Sequence, residues 1–313
     1  MKTSIFALTI AGLLGGSAFA DFKWVDEAGK HTDLLFNGKK IVRYVYEGMN
    51  PEDRERTYKP FHHVYDSKGE GFLTKGPGGQ YTHHRGIYFG FSKCKLPDGS
   101  GVDSWHCKGG YQQHSKVVEQ IAKDDTATQT VEIEWRKDDG TVFIVESRTL
   151  TFTPAEDGLH VDFKSTLTSP EGTVKLDGDP QHAGFQFRAS NEVSAKTKGQ
   201  TIYTRPGTGA AKPGATINWG KDKGDDDSSV TNLPWKGMSV VVGGDRYTIV
   251  YLDSPDNPKP ARYSERDYGR FGSYFVSEVS PDKPLTVNYG LFITAGELTP
   301  EKCQQLHTAK FGG

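Results

Sequence analysis

The chain is short of the features that usually identify a class at once. It has only three cysteines and three methionines in 313 residues. That is too few thiols for a disulfide-dense scaffold, and their spacing matches no zinc-finger pattern. The formal net charge is −2, so no strong field would draw nucleic acid or an anionic membrane. No apolar run is long enough to span a bilayer as a helix. Helical periodicity is nearly absent. So are a P-loop, a strand-borne GxGxxG, a G-x-S-x-G elbow and an HExxH pair.

What is present begins with an address. Lys2, the apolar run Ile5–Leu14 and the small-x-small stretch Ala18-Phe19-Ala20 read as a secretory signal cleaved before Asp21. The expected product is a soluble protein, periplasmic or secreted, comprising residues 21–313 as a single domain. In an oxidising compartment Cys94 and Cys107, which flank the turn-rich LPDGSGVDSW, are expected to form a disulfide. Cys303 is left over in a helical stretch and is expected to be buried.

Strand signals recur along the chain. VEIEWRK, the turn Asp139-Gly140 and TVFIVESRTLTFTP form a hairpin pattern. Asn37-Gly38 joins TDLLF to KKIVRYVYE, and Gly243-Gly244 joins MSVVVGG to DRYTIVYLD. In DGLHVDFKSTLTS, Leu159, Val161 and Phe163 share a face, and PLTVNYGLFITAG reads as a late strand. The expected fold is all-β, a large antiparallel β-sandwich, with one short C-terminal helix from Pro300 to about Phe311 capped by Thr299. The Gly-, Thr- and Asp-rich stretch 196–236 reads as a loop.

Four segments could carry chemistry. Six of the ten histidines lie between positions 62 and 114, and the pair His83-His84 stands beside Arg85 in YTHHRGIYFGF. Histidine titrates nearest neutrality and is the commonest metal ligand. Read as a strand, this segment puts His83 and Arg85 on one side and His84 on the other; the plainer reading packs one imidazole in the sheet. In DSWHCKGG, Trp105 could stack on a sugar ring beside His106, or equally plug the core. In GDPQHAGFQFRAS, His182, Gly184, Gln186 and Arg188 share a polar face opposite Phe185 and Phe187, either a ligand surface or a plain solvent-facing strand. RYSERDYGRFGSYF supplies Tyr268 and Arg270, suited to polyhydroxyl or anionic ligands.

At KPFHHVYD, YTHHRG, DPQHAGFQFRAS and YGRFGSYF the chain resembles a bacterial family of unknown function often labelled "methane oxygenase PmoA", over nearly its whole length from about Tyr58. His63 matches the family's R-P-Y-x-H histidine, while Gln80, Tyr81 and Thr82 stand where members carry D-H-P. The label implies transmembrane spans, which this sequence lacks. The order of elements is also similar to sugar mutarotase-like supersandwiches, with His84 or His83, His182, and Glu297 or Glu278 in comparable places.

These readings converge on an exported carbohydrate-active enzyme, a lyase or hydrolase using histidine acid/base catalysis. The expected catalytic set is His84, His182, Arg85 and Tyr268; Trp105, His106, Gln186, Arg188 and Arg270 would bind substrate. A divalent metal is the cofactor such a histidine set would take, with His63 and His83 (or His84) as ligands and His106 as a third candidate. The alternatives are a non-catalytic glycan-binding protein and a sugar epimerase. The expected partner is a carbohydrate, with no nucleic acid and no membrane span.

Overall fold

The alternating apolar pattern becomes sheet in a computed structural model that describes residues 21–179 and 181–312. The signal-like segment 1–20 lies outside the described residues. Eight strands form a first antiparallel sheet in the order 22–27, 31–36, 39–45, 61–64, 87–91, 183–188, 270–274, 262–266. Nine form a second, in the order 209–210, 202–205, 235–242, 245–253, 285–295, 158–168, 142–155, 127–137, 110–122. A small third sheet joins 277–279, 174–177, 93–95 and 101–102. The expected hairpins form. Phe36 pairs with Lys39 across Asn37-Gly38, both at positive φ (50° and 76°), as a tight right-twisting hairpin requires. The helix runs Pro300–Phe311, with the Thr299 hydroxyl accepting from the Lys302 amide.

The two large sheets meet through aromatic rings. Phe185 of the first sheet packs against Phe163 (4.2 Å between ring centroids) and Tyr289 (4.8 Å) of the second. Phe89 lies edge-on to Trp135 at 6.1 Å. Each such buried ring contributes roughly 1.5–3 kcal/mol. Two charged networks are buried with them. Arg148 forks onto Glu146, which also accepts from Trp135 Nε1. At one edge Glu265 of the first sheet accepts both arms of Arg205, and Lys236 Nζ lies 2.9 Å from it.

Alternation then fixes the opposite face. In strands 87–91, 183–188 and 270–274, Tyr88 is opposite Gln186, and Arg188 is opposite Arg270. These polar side chains point away from the Phe185–Phe187 core, as the sequence pattern requires. They are not in solvent: Tyr88, Gln186, Arg188 and Arg270 are all buried. Loops roof them, and those loops carry the histidines.

The stretch 196–236 is more ordered than its composition suggests. It contains short helical turns over 193–200 and strand Ile202–Arg205, and its acidic run is tied down where Asp225 forks onto Arg262.

Candidate metal centre

Three histidines from three separate loops converge. His83 lies in a turn closed by the His84 amide on the Tyr81 carbonyl (2.9 Å), with Tyr81 held at φ 55°. His106 lies in the loop 103–108, and His182 stands just before strand 183–188. One ring nitrogen from each falls within 4.8 Å of the other two. Ring centroids are 4.3 Å apart for His83–His106 and 4.9 Å for His106–His182. All three rings are partly exposed, so a ligand can reach them.

Two of the three are oriented by the same local device. Asp103 Oδ2 lies 2.7 Å from His106 Nδ1, and Asp179 Oδ1 lies 2.7 Å from His182 Nδ1. Both are Asp-x-x-His turns, and each aspartate also accepts a backbone amide two residues on, from Trp105 (3.0 Å) and Gln181 (2.9 Å). An ionised carboxylate only accepts, so each Nδ1 carries a proton, which leaves Nε2 as the nitrogen that would ligate. Carboxylate-backed imidazoles of this kind are what metal-ligating histidines show. Burial pushes the Asp179 carboxyl up, but the bonds from His182 and the Gln181 amide outweigh it and hold it below its usual range. His83 Nε2 is buried and has no hydrogen-bond partner among the described residues. Burial, then the neighbouring His106, Lys59 and His182, push His83 down to about 2. His83 is therefore held neutral, the form that ligates a divalent ion.

Beneath this cluster is a buried polar layer. The His84 ring lies 4.4 Å from that of His83, and neither of its nitrogens has a hydrogen-bond partner among the described residues. Burial, then Arg270, His83 and Arg188, hold its pKa well below the usual histidine range. Tyr268 stacks near His84 (6.2 Å) and on Tyr81 (4.9 Å), and the Arg188 cation sits 4.6 Å from the Tyr268 ring. Gln186 is a strut: Oε1 accepts from Arg270 Nη1 (3.0 Å) and Nε2 donates to the Ala183 carbonyl (3.1 Å).

The structure corrects several sequence expectations. The His83–Arg85 segment is a turn, with strand starting at Ile87, so alternation does not separate the two histidines. Arg85 is fully buried and donates from Nη1 and Nη2 to the carbonyls of Thr82, His84 and Glu55, under Tyr58 and Phe61; it holds the turn and does not reach substrate. His63 is outside the cluster: its ring stacks on Phe72 at 3.9 Å and its Nδ1 pairs with the Thr74 hydroxyl at 2.9 Å. Trp105 is wholly buried, packed on Tyr88 at 4.8 Å, so it cannot offer a face to a sugar. Cys94 and Cys107 are free, buried thiols. Cys94 faces the main core, whereas Cys107 turns to Tyr58 and Tyr111. Cys303 is free and buried, as expected. Glu297 pairs with Arg246 on the second sheet, and Glu278 lies exposed opposite Lys175, so neither supplies a carboxylate here. His84, His106, His182, Gln186, Arg188, Tyr268 and Arg270 do come together around His83. Sequence reasoning missed Asp103, Asp179, Lys59 and Tyr88; the repeated Asp-x-x-His spacing was the available signal for the first two.

Residues 31–308 match a family of unknown function, DUF6807, and the chain belongs to it. No curated protein matches the sequence. Among solved structures the chain is similar to the galactosidase domain of an alpha-galactosidase–sucrose kinase, AgaSK, with TM-score 0.44 and 7% identity over 91% of this chain and 43% of that one. It therefore spans less than half of that protein. It is also similar to a GalM/aldose epimerase homologue from C. elegans (TM-score 0.36, 8% identity, 89% and 100% covered). A galactose mutarotase-like protein from Lactobacillus casei ATCC 334 gives TM-score 0.37 and 8% identity, with 87% and 99% covered. Among the described residues no helix is long and apolar enough to cross a membrane.

Proposed function

We propose that this DUF6807 chain is an exported carbohydrate-active enzyme, a lyase, working at a divalent metal held by His83, His106 and His182. One observation carries the reading: three imidazoles converge, and two of them are fixed through Nδ1 by Asp103 and Asp179. A purely structural trio would not need two aspartates to aim the remaining nitrogens at one point. When bound, such an ion supplies Lewis acidity toward a substrate oxygen.

The protein's own groups do the rest. His84 is held neutral by burial and the neighbouring cations, so its ring offers one N–H and one lone pair for hydrogen bonds to a substrate hydroxyl. The phenols of Tyr268 and Tyr81 stand at the mouth and suit a polyhydroxyl ligand. A lyase is favoured over a glycoside hydrolase because hydrolysis by the two-carboxylate route needs two carboxyl groups facing the bond. Asp103 and Asp179, the acidic groups described next to the cluster, are both engaged by histidine.

The test is elemental analysis of the purified protein, then activity on neutral, uronic and sulfated oligosaccharides with and without chelator. Stoichiometric metal, an unsaturated product and loss of turnover on chelation are expected. Binding of sugar without product would move the protein to the glycan-binding class. A metal-free protein with undiminished turnover would overturn the metal reading.

A further inference from the structure

Four arginines show how this chain pairs a guanidinium with a carboxylate. Arg43, Arg148, Arg205 and Arg262 each turn the Nε–Nη2 edge onto Asp33, Glu146, Glu265 and Asp225, with Nε at 2.6, 2.7, 2.7 and 2.8 Å. In all four Nη2 meets the second carboxylate oxygen. That edge matches a carboxylate's two oxygens, which is why the pairing is bidentate.

Arg188 departs from the pattern. It is 0% exposed, in the middle of the first sheet. Its Nη1 is spent on the carbonyls of Ala189 (2.9 Å) and Tyr268, which fixes the plane of the group. Its Nε and Nη2 have no hydrogen-bond partner among the described residues. Arg270, opposite it across the strand pair, is also buried and has an unpartnered Nε, and the buried Tyr88 hydroxyl is unpartnered too. The groups acting on Arg188 are Tyr268, Tyr88, Arg270 and Tyr203, and burial pushes it down to about 10; no carboxylate is among them. A buried bidentate edge without an acceptor is unfavourable unless an anion completes it.

We propose that the Nε–Nη2 edge of Arg188, with Arg270 Nε and the Tyr88 hydroxyl beside it, binds the carboxylate of the substrate, and that the sugar acted upon is a uronate. This rests on the carbohydrate-lyase reading above and deepens it. Tyr268 and His84 link the two parts of the site: the Arg188 cation is 4.6 Å from the Tyr268 ring, that ring is 6.2 Å from His84, and His84 is 4.4 Å from His83. A carboxylate on Arg188 therefore lies below the histidine cluster. Tyr268 packs 4.9 Å from Tyr81, which is 43% exposed.

The chemistry follows from the charge. A base takes the proton from the carbon bearing the carboxylate. That electron pair forms a carbon–carbon double bond as the C–O bond one carbon further on breaks, and the leaving oxygen takes up a proton. No oxidant or other reactant is needed. Pairing the carboxylate with guanidinium makes the departing proton more acidic, which links the subsite to elimination.

The test is calorimetry on the purified protein with uronate oligosaccharides, their carboxyl-reduced neutral counterparts, and sulfated oligosaccharides, with metal content measured in every sample. Uronates should bind on the order of 100-fold more tightly than the reduced counterparts. Arg188→Met and the charge-keeping Arg188→Lys should both lose that preference while metal content stays unchanged. Equal binding of reduced sugars, a preference for sulfated ones, no binding of any acidic sugar, or wild-type discrimination in Arg188→Lys would each overturn the subsite. Should Arg188→Met not fold, Arg270→Gln and the wild-type preference still decide. Uronate preference in a metal-free protein would overturn the metal centre alone; stoichiometric metal without uronate preference would overturn the subsite alone.

Discussion

Two of the regions in which this protein buries cations do so differently. At the edge of the sheets Arg205 and Lys236 surround Glu265, and every arm of the carboxylate is used. Under the histidine cluster Arg188 and Arg270 lie side by side with phenols and amides for neighbours. The first arrangement gives its two cations a shared carboxylate and ties one sheet to the other. The second keeps positive potential and unpaired donors within reach of three ligating histidines. A protein stabilises its fold with the first kind of burial. The second kind gives the fold no comparable return, which is why it marks a binding site.

The largest effect should come from opening the closed network. Glu265→Gln leaves two buried cations, Arg205 and Lys236, without their counter-charge. A destabilisation of about 3–5 kcal/mol is expected, read by denaturant unfolding at neutral pH. A loss under about 1 kcal/mol would show that the network is not closed in the sense argued.

A second prediction concerns Lys59, which is buried beneath the cluster and donates to the Trp105 carbonyl. Burial, its largest influence, pushes it down to about 8 from an ordinary 10.5. The unfolded chain therefore holds this proton more tightly than the native state. Unfolding free energy should rise with pH between about 8 and 10.5, and the penalty is fully present below pH 8. The gain should be roughly 1–3 kcal/mol and should be absent in Lys59→Met. A flat difference curve between the two proteins across that window would refute it.

Much of the fold was legible because strands write their faces directly into sequence. Phe185 and Phe187 alternate with Gln186 and Arg188, and the structure separates them as the period of two demands. The hairpins at Asn37-Gly38 and Asp139-Gly140 were equally plain. The site was only half legible, because its ligands come from turns, where the period of two does not apply. His83 and His84 read as opposite faces of a strand, yet the positive φ at Tyr81 folds them into one pocket. Trp105 and the two early cysteines were misread for a related reason: loop residues owe their burial to what roofs them, and no local pattern reports it. Asp103 and Asp179 were visible as a repeated Asp-x-x-His spacing, a signal that only gains meaning once His106 and His182 are seen to meet.

A smaller effect is expected from the aspartates that aim the ring nitrogens. Asp103→Asn and Asp179→Asn keep the turn's backbone acceptor but can no longer demand a proton on Nδ1. Metal affinity should fall about 10- to 100-fold in each, with little change in fold, read by metal titration against a competing chelator. Unchanged affinity in both would mean the carboxylates serve only the turns.

The smallest expected effect is the most discriminating. If Arg188 belonged to the same class of burial as Arg205, truncating it would cost several kcal/mol. Arg188→Met removes the Nη1 bonds to two carbonyls and the cation's contact with the Tyr268 ring, while the substitution also relieves an uncompensated buried charge. These terms oppose each other, so stability should change by no more than about 1 kcal/mol in either direction. Denaturant unfolding of Arg188→Met beside Glu265→Gln reads the contrast directly. A loss for Arg188→Met as large as that for Glu265→Gln would place both arginines in the structural class and leave the unmet edge without a ligand to explain it. A near-neutral result would mean that the native state gains little from this guanidinium, so that its Nε–Nη2 edge is held for something outside the chain.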